Sequence, residues 1–126
     1  MADKGGISSN DLAVAAARAA ADKQAERVVV LDVRELVVIT DYFIIVSGTS
    51  ERHVKSISED IEKALRELGA KPVRREGEAG ARWLLLDFID VVVHVFDDEE
   101  RDFYDLERLW SDAPRLAWQG SNAASG

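Results

Sequence analysis

A chain of 126 residues with 47% hydrophobic side chains has apolar surface for one core and one domain. No apolar run approaches the ~20 residues of a membrane span, no charged-then-apolar leader opens the chain, and Cys is absent. Disulfides and thiolate metal centres are thereby excluded, and a soluble, cytoplasmic protein is expected. The net charge of -8 is concentrated between Trp83 and Asp112, where ten acids stand against Arg101 and Arg108. Such a segment disfavours direct contact with nucleic-acid phosphates and suits a basic protein partner; its plainest alternative is a solvated, solubilising face.

Residues 1–9 are polar and expected to be flexible. "SSNDLAVAAARAAADKQA" predicts an Ala-rich helix capped by Ser9 or Asn10, with Leu12, Ala15, Ala16 and Ala19 on one face. "RVVVLDV" and "YFIIVSG" predict strands apolar enough to be covered on both faces, with "RELVVITD" between them as a turn or an extended piece. The clearest element is the helix from Ser50, with Val54, Ile57, Ile61, Leu65 and Leu68 at helical spacing and Gly69 at its exit. "KPVRREGEAGA" gives a short polar strand and a Gly-containing loop, and "RWLLLDFIDVVVHVF" two strands joined by a tight turn at 88–90. A last helix begins at Asp97, with Glu100 completing a capping box and Phe103, Leu106, Leu109 and Trp110 as its apolar stripe. Pro114 ends it, and residues 114–126 are expected to be a disordered tail. The fold class is therefore α/β, a mixed sheet of about five strands covered by helices in one domain over residues 10–113.

"TDYFIIVSGTS" has the outline of a nucleotide-transfer site, an Asp beside a buried strand that runs into a Ser-Gly turn and a helix. Metal-assisted transfer needs carboxylates converging on one point, hence Asp-x-Asp on a strand, where alternate side chains share a face. Phe43 occupies the second position. Asp87 and Asp90 stand three apart across the expected turn, where both read as turn residues, and one Gly is too few for a phosphate-cradling loop. His94 lies mid-strand and His53 in a first helical turn, neither with a placed catalytic partner. The scaffold points to no catalytic residue, metal or cofactor. The aromatics Trp83, Phe88, Phe96, Phe103, Tyr104 and Trp110 cluster in the acidic third, a composition found at protein–protein hot spots. Phe103 and Trp110 read as core from the helix stripe, while Trp83 and Tyr104 stay open between core and contact.

Taken in order, "LDV", "TDYFIIVSGTSERHV", "EG", "WLLLDFIDVVVHVF" and the Arg-x-"FYDLERLW"-x-Asp-Ala run strongly resemble the ribosomal silencing factor family (RsfS, or Iojap), from about Leu12 to Ala113. The resemblance implies a nucleotidyltransferase-like fold without the catalytic carboxylate pair, and a homodimer. It implies binding to the large ribosomal subunit through its ribosomal protein fourteen, which blocks joining of the small subunit and lowers translation under nutrient limitation. Carried over by position, the partner-binding residues are Trp83, Asp87, Asp90, His94 and Phe96 on the hairpin, Arg101, Tyr104 and Asp105 on the last helix, and Asp41 and Tyr42 at the border; ribosome-facing and dimer-facing subsets are not separated. One departure is Ile89, where the family has Gly: a β-branched residue resists positive φ, so a different turn type is expected. Two rival readings are a residual nucleotide-binding enzyme built on Ser47, Gly48, Asp41 and Asp87, and a dimeric acidic adaptor for another basic protein.

Overall fold

Ser8, not Ser9 or Asn10, caps the first helix: its hydroxyl accepts from the Asp11 amide at 3.0 Å and its own amide donates back to the Asp11 carboxylate. In the computed structural model, which describes residues 7–77 and 82–119, helix α1 (Ser9–Asp22) is followed by strands β1 (Glu26–Asp32) and β2 (Tyr42–Gly48), then helix α2 (Glu51–Glu67). Strands β3 (Arg74–Glu76), β4 (Trp83–Asp87) and β5 (Val91–Asp97) and helices α3 (Asp98–Tyr104) and α4 (Leu106–Leu109) complete the chain. Residues 78–81 of the expected Gly-containing loop lie outside the described residues, as do 1–6 and 120–126.

The strands form one mixed sheet in the order β1-β2-β5-β4-β3. The β2–β5 pair is parallel and the other three pairs are antiparallel. Strand alternation sends Tyr42, Ile44, Val46, Val91, Val93 and Val95 to the face that α1 and α2 cover. There α2 buries Val54, Ile57, Ile61 and Leu65, as its periodicity predicts, whereas Leu68 is the half-exposed C-cap. The face of α1 is rotated from the expected one: Ala13, Ala17 and Ala20 are fully buried beside Leu12 and Ala16, with Ala15 and Ala19 at the margin. Alanines on every side of this helix make its face weakly marked, and the close approach of α1 to α2 and the sheet selects it. Gly48 is a packing glycine, since a Cβ there would meet the Val54 amide nitrogen at 3.0 Å.

Two expectations near the C-terminus are corrected. The last helix is broken at Asp105, whose φ of 49° and ψ of 52° are left-handed. Asp tolerates that conformation better than most residues, and the break splits the apolar stripe. Leu106 and Trp110 pack on the sheet, while Phe103 is 77% and Leu109 71% exposed. The expected tail is ordered through residue 119: the Asp32 amide donates to the Pro114 carbonyl, the Leu116 amide to the Val30 carbonyl and the Trp118 indole to the Val28 carbonyl. Residues 114–118 thus cover the open edge of β1, and Leu116 and Trp118 pack against the main core.

Ile89 does adopt positive φ, at 75°. Asp90 donates its amide to the Phe88 carbonyl at 2.9 Å, closing a three-residue turn around Ile89, and the Asp87 carboxylate accepts from the Ile89 amide. The strained backbone is held by the Asp87 side chain and the Asp90 amide, and the β-branched side chain is 56% exposed.

Candidate interaction face

The second face of the sheet is covered only in part. Leu31, Val33, Ile45, Phe96 and Ala113 are buried there under α3, α4 and the residues that follow. Antiparallel register sets Trp83 opposite Phe96 and Leu85 opposite His94, and the parallel register sets Ile45 beside His94. The result is an aromatic layer. The Trp83 ring stacks on Phe96 at 5.1 Å and lies 4.6 Å from Tyr104, while Phe43 meets His94 and Trp110 edge-on at 5.7 and 5.3 Å. Tyr104 of α3 reaches over the Trp83 and Phe96 end of the layer, while Trp83, Leu85, Val92 and Phe43 stay half-buried.

Within this layer the Trp83 indole Nε1 donates to His94 Nδ1 at 3.2 Å. An indole N–H only donates, so Nδ1 must be the unprotonated nitrogen and the ring is neutral with its proton on Nε2. Burial pushes the His94 pKa down to about 4. At 8% exposure, His94 offers a partner a ring edge rather than a charge.

Next to the layer, α3 and α4 meet in an elbow at Asp105. Phe103, Tyr104 and Leu109 line its outer side with Asp102, Asp105 and Arg108. Arg101 points inward and is 1% exposed. Its guanidinium donates to both Glu107 carboxylate oxygens at 3.0 and 2.9 Å and to the Ser47 hydroxyl at 2.9 Å. The Arg101 hydrogen bonds hold the Glu107 carboxyl below the usual carboxylate range.

The acidic surface is less naked than its sequence suggests. Arg82 binds Asp97 at 2.6 Å and also Glu99, while Arg27 reaches Asp102 at 3.0 Å and Asp98 at 3.7 Å. Burial works against the Asp97 charge, yet the Arg82 hydrogen bond and backbone amides hold its pKa below the ordinary value. Sequence reasoning missed Arg82, although the hairpin register contains it: with Trp83 opposite Phe96, residue 82 must face residue 97, and the Asp97 amide does bond the Arg82 carbonyl.

The ten candidate contact residues divide by exposure. Asp90, Tyr104 and Asp105 are exposed, and Trp83, Asp87 and Asp41 half-exposed. Tyr42 and Phe96 are 2% and 1% exposed and, like Arg101 and His94, have little surface to offer; Tyr42 lies on the opposite, helix-covered face. Asp87 serves the turn and also faces Arg74 at 3.6 Å, and Asp90 uses its carbonyl to bind the Asp41 and Tyr42 amides. Ser47, a member of the nucleotide-binding alternative, is fully buried and accepts from Arg101. Among the described residues no group of three His, Cys, Asp or Glu is arranged to hold a metal ion. No helix among them is long and apolar enough to cross a membrane.

The family model described as "Ribosomal silencing factor during starvation" matches residues 7–125. The ribosomal silencing factor RsfS of Halalkalibacterium halodurans is 43% identical over 114 residues, 90% of this chain and 97% of that one. An X-ray structure of a Chromobacterium violaceum protein superposes with a TM-score of 0.77 at 34% identity, covering 80% of this chain and 84% of that chain. More distantly, the mouse (Mus musculus) protein named for mitochondrial assembly of the ribosomal large subunit is 39% identical over 75 residues, 57% of this chain but 33% of its own length. With the model spanning almost the whole chain and a relative matched nearly end to end, the chain belongs to the ribosomal silencing factor (RsfS) family.

Proposed function

We propose that this protein is a cytoplasmic, non-enzymatic repressor of translation that binds the large ribosomal subunit through ribosomal protein fourteen and sterically blocks joining of the small subunit when nutrients are limiting. Family membership supports the silencing role, and the name of the mouse relative supports the large subunit as the place of action. The observation that carries the reading is the half-open aromatic layer of Trp83, Phe43 and Tyr104 beside an acidic elbow. Aromatic anchors rimmed by charge suit a folded basic protein better than a phosphate backbone, which an acidic surface repels. A standard interface of roughly 800 Å² per partner would cover this face. We assign the exposed Asp90, Tyr104 and Asp105 and the half-exposed Trp83 to direct contact, and propose a homodimer as the free form.

A joining assay tests the proposal. Purified large and small subunits are mixed with and without excess protein and separated on a sucrose gradient. The expected result is that the protein co-migrates with large subunits and joined ribosomes are depleted. Unchanged joining with saturating protein on the large subunit would sink the steric mechanism.

A further inference from the structure

Arg101 and Glu107 are six residues apart, which on a continuous helix would place them about 120° apart around the axis. They meet because the chain breaks at Asp105. The same guanidinium reaches back to Ser47 at the end of β2, so one buried side chain bonds the sheet and α4 from its place in α3. Taking a guanidinium out of water is costly, and an apolar residue of similar volume would usually stabilise a core as well; a buried ion pair with matched donors and acceptors instead fixes one geometry. That geometry presents the aromatic side chains of the elbow. Tyr104, three residues on in α3, is held 4.6 Å from Trp83, and Phe103 and Leu109 project outward on either side of the break.

We propose that Arg101 is a positioning residue, a buried clamp that holds the α3–α4 elbow in the pose in which Tyr104 and Phe103 meet the partner. It acts through Glu107 and Ser47 and makes no contact with the partner itself. This assignment rests on the proposed large-subunit function for its binding consequence, but its geometric part is separable. The chain has two tyrosines, Tyr42 in the main core and Tyr104 at the elbow, so 3-fluorotyrosine labelling gives one ¹⁹F reporter for each.

The test compares the labelled full chain with Arg101→Lys, which keeps the charge but loses the fork, and with Glu107→Gln, which keeps shape and one acceptor. In both, the Tyr104 resonance is expected to shift or broaden while that of Tyr42 stays, and affinity for isolated large subunits to fall roughly tenfold or more. If Arg101→Lys does not fold, as a lost Tyr42 resonance would reveal, Glu107→Gln carries the test alone. An unmoved Tyr104 resonance in a folded variant overturns the clamp. A moved resonance with wild-type affinity overturns the link between elbow pose and docking. Should the wild type fail to bind large subunits, the proposed partner falls, and the Tyr104 resonance still decides whether Arg101 holds the elbow.

Discussion

Trp83 and His94 face each other across the β4–β5 hairpin, joined by an indole-to-imidazole hydrogen bond of 3.2 Å that holds the histidine neutral. That bond and burial make His94 a liability in acid. The folded pKa is about 4, against an unfolded value near 6.5, so protons bind the unfolded chain more readily. The stabilisation from neutral His94 is complete above about pH 6.5 and is lost as pH falls toward 4, by about 3 kcal/mol at most. Denaturation curves across this range should show stability falling with pH in the wild type. His94→Phe should lower the baseline and flatten the slope between pH 6.5 and 4. An equally steep slope in the variant would assign the acid sensitivity elsewhere.

Ile89 supplies a second test. A β-branched residue at φ 75° is strained by roughly 1–2 kcal/mol, while glycine adopts that conformation freely and costs roughly 0.5–1 kcal/mol in chain entropy. Because the side chain is largely exposed, little burial is lost on removing it. Ile89→Gly should therefore leave stability unchanged or raise it by up to about 1 kcal/mol, a melting shift of a few degrees. A loss above 1 kcal/mol would mean that the isoleucine packs more than its exposure indicates.

The segment after Pro114 gives a third. Ending the chain there removes Leu116, the Trp118 indole bond to Val28 and the cover over β1. The expected cost is about 2–4 kcal/mol, with a melting temperature lower by roughly 10 °C or more. An uncovered strand edge also promotes self-association, so the truncated chain should grow in apparent mass with concentration. Full stability in the truncated chain would show that residues 115–118 rest on the sheet without stabilising it.

Legibility in the sequence followed the strength of each local signal. Branched apolar residues at helical spacing identify α2 almost residue by residue, and alternation with a tight turn identifies β4 and β5. In α1 the many alanines leave the face free to be chosen by packing. The break at Asp105 has no glycine to announce it, so an unbroken helix and an inward Phe103 were the natural reading. Leu116 and Trp118 flank Ala117 in an apolar triplet too short to show a period. Among site residues, the sequence leaves Trp83 and Tyr104 open between core and contact, and the fold makes Tyr104 exposed and Trp83 half-buried; the burial of Arg101, Phe96 and Tyr42 depends on which face or elbow receives them.

The contact face can be separated from the core by comparing Phe103 with Trp83. Phe103 is 77% exposed and touches Tyr104 edge-on at 5.1 Å, so Phe103→Ala should change folding stability by no more than about 0.5 kcal/mol. If the elbow meets the partner, the same change should weaken large-subunit binding by roughly 10- to 100-fold, mainly through faster dissociation. Trp83 is half-buried and bonds His94, so Trp83→Ala should lose both binding and about 2–3 kcal/mol of stability. Salt adds a further distinction. Arg82 and Arg27 already pair with Asp97, Glu99, Asp98 and Asp102, so fewer acids are free to steer a basic partner than the count of ten suggests. Association should slow with added salt in the wild type, and Asp90→Lys, a change at an exposed turn residue, should slow it further while leaving dissociation nearly unchanged. Wild-type binding by Phe103→Ala and Trp83→Ala alike would move the ribosome contact to another face of the molecule.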